Sequence, residues 1–184
     1  AQFGGKYLFS GTNNATAPFT VDENSGKLCF NGIELEKISY KNGKYVYTDD
    51  AGKEQEVPNS GDVYMDIGLG LKIGEGLEPD PRSAFKVSFS GMDVLGFGAS
   101  VTGEHGTQVA SNAYDLLTQI EESLKNGYNK DELSDLHAQL VEVNDNMRMS
   151  RTDLGTRMNF LERNQTRLEN DVDNLSEMES KLIS

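Results

Sequence analysis

The sequence predicts an α+β protein in which a small antiparallel β domain is joined to a long antiparallel helical rod of coiled-coil type. Three observations carry that expectation. Turn-forming pairs punctuate residues 1 to about 100 at short intervals. The apolar period becomes helical after about residue 106. From Lys130 to the last residue there is no proline, and Gly155 is the one glycine.

The first half holds most of the 19 glycines and all 4 prolines. Asn24-Ser25-Gly26, Asn31-Gly32, Asn42-Gly43, Asp49 to Gly52 and Asn59-Ser60-Gly61 read as turns. Between them lie short β-prone runs such as Lys44-Tyr45-Val46-Tyr47-Thr48. Asn-Gly between alternating segments is a strong hairpin signal, because both residues tolerate positive φ. The run from Tyr40 to Val57 therefore reads as a meander, and "VYMDIGLGLKI" and "AFKVSFS" as further strands.

In the second half Val109, Ala113, Leu116, Leu117, Ile120 and Leu124 share the spacing of one helical face. They predict a helix over residues 107–126, closed by Gly127. Asn129 then caps the next helix, with Glu132 three residues on as in a capping box. A helix from there to Ser184 would be roughly 80 Å long. Its apolar seam steps by threes and fours through Leu133, Leu136, Leu140, Val143 and Met147. It continues through Arg151, Leu154, Met158 and Leu161, then Leu168, Val172, Leu175 and Leu182. Two successive steps of four, Val143 to Met147 to Arg151, set an eleven-residue repeat into the heptads, which locally unwinds a left-handed supercoil. Gln165 and Glu179 are polar seam positions. Such residues fix register at a cost in stability, or Glu179 simply faces solvent.

The first helix, folded back antiparallel, covers only about a third of this seam. The distal part, Met158 to Ile183, is left to a partner from upstream of Ala1, from another chain, or from both.

Chemistry-bearing patterns are sparse. The net charge of −13 argues against nucleic acid and anionic membranes, which both require basic patches. No stretch approaches the ~20 apolar residues of a membrane span. Cys29, the single cysteine, excludes an internal disulfide and reads as a small buried or half-buried residue. His105 and His137 lack ligand-spaced partners, so no metal site is expected. The run Gly68-Leu69-Gly70-Leu71-Lys72-Ile73-Gly74 carries its third glycine one residue late for a dinucleotide loop and precedes no helix, so no cofactor is expected. Asp49, Asp50, Glu54 and Glu56 lack the spacing of a calcium loop. Asn14-Ala15-Thr16 and Asn164-Gln165-Thr166 match the glycosylation pattern, a short and common one. No catalytic constellation is visible, and no enzyme is expected.

Two terminal stretches are more specific. "FGGKYLFSGTNNATAPF", Phe3 to Phe19, resembles the segment of the bacterial flagellar hook-associated protein 3 family that leads from its N-terminal helices into its β domain. Lys6 to Gly11, Thr12-Asn13 and Pro18-Phe19 carry the match. "DLGTRMNFLERNQTRLENDVDNLSEMES", Asp153 to Ser180, resembles the C-terminal rod helix of this family and of flagellins, through Leu154-Gly155, Asn159 and Arg167-Leu168-Glu169.

The resemblance implies a structural adaptor at the hook–filament junction, with residues 16–100 an outward-facing β domain inserted into a rod made by 1–15 and 101–184. It implies a fragment lacking both polymerising termini. It also implies export through the flagellar secretion apparatus to an extracellular site. The partners implied are the first hook-associated junction protein, flagellin, neighbouring copies and a cytoplasmic export chaperone. A flagellin subunit is the alternative within that machine. An adhesin or glycan-binding β module on a coiled-coil stalk, using Tyr40, Tyr45, Tyr47 and Tyr64, is the alternative outside it.

Overall fold

The structure, a computed structural model, describes residues 2–66, 72–74, 80 and 84–183. The chain begins with a two-residue-turn hairpin, β1 (Gln2–Phe3) and β2 (Lys6–Tyr7), whose Gly4 and Gly5 both take positive φ. A three-stranded sheet follows: β3 (Phe19–Val21), β4 (Leu28–Phe30) and β5 (Ile33–Glu34), in that spatial order. After a 3-10 turn at Leu35–Lys37 comes a second meander, β6 (Ile38–Lys41), β7 (Lys44–Thr48) and β8 (Glu54–Glu56).

The expected Asn-Gly turns form. Lys41 pairs with Lys44 across Asn42 (φ 50°) and Gly43 (φ 82°), and Phe30 pairs with Ile33 across Asn31 (φ 49°) and Gly32 (φ 86°). Two positive φ angles match the twist of a tight hairpin. Asp49 closes the β7–β8 turn, its Oδ1 accepting the N–H groups of Ala51 and Lys53. β9 (Tyr64–Asp66) and β10 (Ala84–Lys86) form a separate antiparallel pair. Residues 68–71 of the glycine run lie outside the described residues.

The first core gathers Phe30, Leu35, Ile38, Val57 and Met92, each at most 1% exposed. Burying side chains of this size contributes about 1.5–3 kcal/mol each. Met92 comes from α1 (Gly91–Leu95), capped by the Ser90 hydroxyl. A short hairpin, β11 (Val101–Thr102) with β12 (Gln108–Val109), leads into α2 (Ala113–Lys125) and α3 (Lys130–Ile183).

The helix expected over 107–126 is shorter, because Val109 belongs to a strand and the Asn112 side chain caps α2 by accepting the N–H of Asp115 at 2.9 Å. Its buried stripe is also narrower. Leu117 and Leu124 are exposed, leaving Ala113, Leu116 and Ile120 to face the core. Gly127 (φ 80°) follows the helix, and Asn129 Oδ1 accepts the N–H of Asp131 at 2.9 Å at the start of α3.

The long antiparallel rod with an inserted β domain is not what the chain forms. It is an α+β protein of small antiparallel sheets with, among the described residues, three α-helices, of which α3 is 54 residues long and α2 only 13. The N-terminal segment joins the strands instead of a rod. Ser10 bridges Ser90, the N–H of Gly91 bonds the carbonyl of Phe9, and the N–H of Thr12 bonds the carbonyl of Asn59. Leu95 packs against both cores, and the Leu28 N–H of β4 donates to the buried Asp115 carboxylate of α2 at 3.1 Å. Strands, α2 and the first turns of α3 thus form one compact unit, Ala1–Ser150, and Arg151–Ser184 form a second.

Candidate assembly surface

In the first unit α3 turns its apolar face towards α2. Leu136 and Val143 are buried with Val109, Ala110, Ala113 and Leu116, and Leu140, Met147 and Ile120 pack at the edge. Leu133 is half-buried. This is the part of the seam that the sequence expected α2 to cover.

Two carboxylates fix the arrangement. Asp115 takes the Leu28 N–H and, at 2.7 Å, the Asn112 amide. Asp135, 3% exposed, takes the N–H groups of His105 and Thr107 and lies 2.8 Å from His105 Nδ1. A side chain at Gly103 would overlap the Asp135 carboxyl, so the hairpin passes directly over it. Burial pushes the Asp135 pKa up, but the hydrogen bonds from His105 and Thr107 outweigh this and hold it at about 2. The same contact raises that of His105. His105 therefore has a structural partner, which sequence spacing did not reveal because the two residues lie 30 positions apart.

In the second unit the seam continues without cover. Leu154 and Leu161 are half-buried, whereas Met158, Leu168, Val172, Leu175 and Leu182 are exposed, rising from 56% at Leu168 to 87% at Leu182. Leu154, Leu161, Leu168, Leu175 and Leu182 recur every seventh residue, the spacing that keeps one face of a supercoiled helix turned to a partner. The polar seam residues Arg151, Gln165 and Glu179 face solvent, with Gln165 donating to Glu169 at 2.9 Å. Surface pairs such as Arg157–Asp153 at 2.6 Å add only about 0.3–0.5 kcal/mol each.

The structure also exposes apolar residues that the sequence reading did not assign to an open surface. Met178 and Ile183 widen the distal stripe. Tyr114, Leu117 and Leu124 make a second exposed stripe beside the covered face of α2, and exposed Tyr128 follows in the turn after Gly127. The signal of this stripe was present in the sequence, but it merged there with the buried stripe. Tyr40, Tyr45 and Tyr47 share one face of the β6–β8 sheet, Tyr40 lying directly across from Tyr45, whereas Tyr64 belongs to the separate β9–β10 pair. Tyr45 is buried, Tyr47 and Tyr64 are half-buried, and exposed Tyr40 rests edge-on against Tyr45 with ring centres 4.9 Å apart. Cys29 is buried and free, and burial raises its thiol pKa.

Among the described residues no helix is long and apolar enough to cross a membrane, and no three His, Cys, Asp or Glu side chains are grouped as metal ligands. No protein-family model, curated protein or solved structure matches the chain.

Proposed function

We propose that this chain is a non-enzymatic structural subunit of the bacterial flagellum, an adaptor between the first hook-associated protein and the flagellin filament. The observation that carries this reading is the exposed heptad row Leu168, Leu175 and Leu182, 56% to 87% exposed. A row of that length is costly to leave in water and calls for helical neighbours. The resemblance of the stretches Phe3–Phe19 and Asp153–Ser180 to the hook-associated protein 3 family is what supports a flagellar assembly. The second stripe at Tyr114, Leu117 and Leu124, with Tyr128 after it, suits a subunit that touches more than one neighbour.

On this reading the distal seam is buried in the fibre against helices of neighbouring chains, flagellin and further copies among them. Export runs through the flagellar secretion apparatus with the help of a cytoplasmic chaperone, and the mature location is extracellular. The stretch Asp153–Ser180 fits a flagellin equally well. Phe3–Phe19 favours the junction protein, and copy number per filament separates the two.

Leu168→Asp in the full-length protein tests the proposal. It places an unpaired charge in the buried seam while leaving the first unit folded. Cells carrying it are expected to make hooks without filaments and to release flagellin into the medium. Normal swimming at normal levels of the variant protein would refute the reading. Leu161→Ala serves as the milder probe if the variant is degraded.

A further inference from the structure

We propose that the cleft between the α1 region and the adjoining face of α3 receives an arginine side chain presented by a partner protein. The cleft measures about 500 Å³, with Met92, Asp93 and Phe97 on one wall and Gln139, Glu142 and Met149 on the other. The Ser150 hydroxyl holds the walls together by donating to the Asp93 carbonyl at 2.7 Å.

Three features point to the occupant. Gln139 is 9% exposed and lines the cleft, yet its amide has no hydrogen-bond partner among the described residues. The amide atoms themselves are solvent-accessible, Ser123 Oγ being the one buried side-chain polar atom without a partner among the described residues, so the amide is open to a group that enters the cleft from outside. Asp93 and Glu142 carry carboxylates with no lysine or arginine partner among the described residues, and Asp93 is held in place by the Tyr45 hydroxyl. Phe97 and the two methionines provide flat, polarisable surface between these acceptors. A guanidinium matches all three features. Its fork of donors reaches an amide oxygen and a carboxylate together, and its face stacks on aromatic and thioether groups, whereas an ammonium offers charge alone. The net charge of −13 favours a basic partner over long range as well. This inference is independent of the flagellar reading, since its test needs only the isolated chain.

The test is a ¹H–¹⁵N NMR titration of the chain with blocked arginine amide, alongside blocked lysine amide and the uncharged citrulline amide. Arginine is expected to shift the Gln139 side-chain amide and the backbone amides of residues 93–97, with millimolar affinity. Lysine should do so more weakly, and citrulline not at all. Glu142→Gln should weaken arginine binding about fivefold, while Glu122→Gln, away from the cleft, leaves it unchanged. Equal shifts with citrulline, shifts spread over the acidic surface and insensitive to Glu142→Gln, or no shift at these amides would each overturn the proposal.

Discussion

Leu136 and Leu175 both sit on the apolar seam of α3, yet Leu136 is 1% exposed and Leu175 65%. The spacing around each is the same. The difference lies elsewhere in the chain. Ala113, Leu116 and Ile120 of α2 face the region of Leu136, and α2 ends after 13 residues. A periodic apolar stripe therefore states that a helix face is built for burial, but what covers it is written in another segment. In the first unit that segment is present, and the face is a core. In the second unit the face is a surface, and the same leucines become available for association.

The largest effect that would break this comparison is on the covered side. Leu136→Ala should lower the unfolding free energy of the first unit by about 2–5 kcal/mol, read from the denaturant midpoint. A loss below ~1 kcal/mol would mean that the α2–α3 contact is not a true core.

Asn112→Ala should follow, at about 1–2 kcal/mol, because Asn112 caps α2 and also steadies Asp115, which holds Leu28 of β4. Loss of near-ultraviolet signal together with helicity would mark this link between strands and helix.

The His105–Asp135 contact gives a smaller, pH-dependent effect. The Asp135 hydrogen bond raises the His105 pKa above its ordinary 6.5. Its contribution is therefore complete below that value and fades as pH rises through the raised one. Asp135, held at about 2, contributes above the ordinary carboxylate range and loses its contribution as pH falls towards 2. The thermal midpoint should thus decline as pH rises above about 6.5, and Asp135→Asn should flatten that decline. An unchanged profile in the variant would remove His105 from the account.

The smallest effect is the complement of the first. Leu175→Ala in the isolated chain should change stability by no more than about 0.5 kcal/mol. A loss matching that of Leu136→Ala would show that the distal seam is covered in the isolated chain after all.

Much of the β half was legible because its turns are local. Asn31-Gly32 and Asn42-Gly43 require positive φ at adjacent residues, and they formed the two hairpins expected of them. The start and extent of α3 were legible for a similar reason, through Asn129 and the absence of proline. What failed depended on distant contacts. Val109 has helical spacing to Ala113, but it pairs with Val101 in a hairpin whose tip is tied to Asp135 of α3. Leu117 and Leu124 match the buried stripe in period but lie at its exposed border. The first fifteen residues were assigned to a rod, although Gly4-Gly5 carried a local hairpin signal, and their strand-side partners Asn59 and Ser90 lie far along the chain. Of the candidate surface, the seam residues could be named from sequence. Which of them were already covered could not.

Amide hydrogen exchange on the isolated chain at low concentration tests the contrast between the two stretches of α3 most directly. Most helical stability comes from packing of the apolar face, and protection reports local opening. Residues 116–143, where Leu116, Leu136 and Val143 are buried, should be strongly protected. Protection should fall after about Met158 and be weakest near Leu182. Uniformly strong protection through residue 183 in a demonstrably monomeric sample would contradict the account, because the distal leucines would then already have their cover.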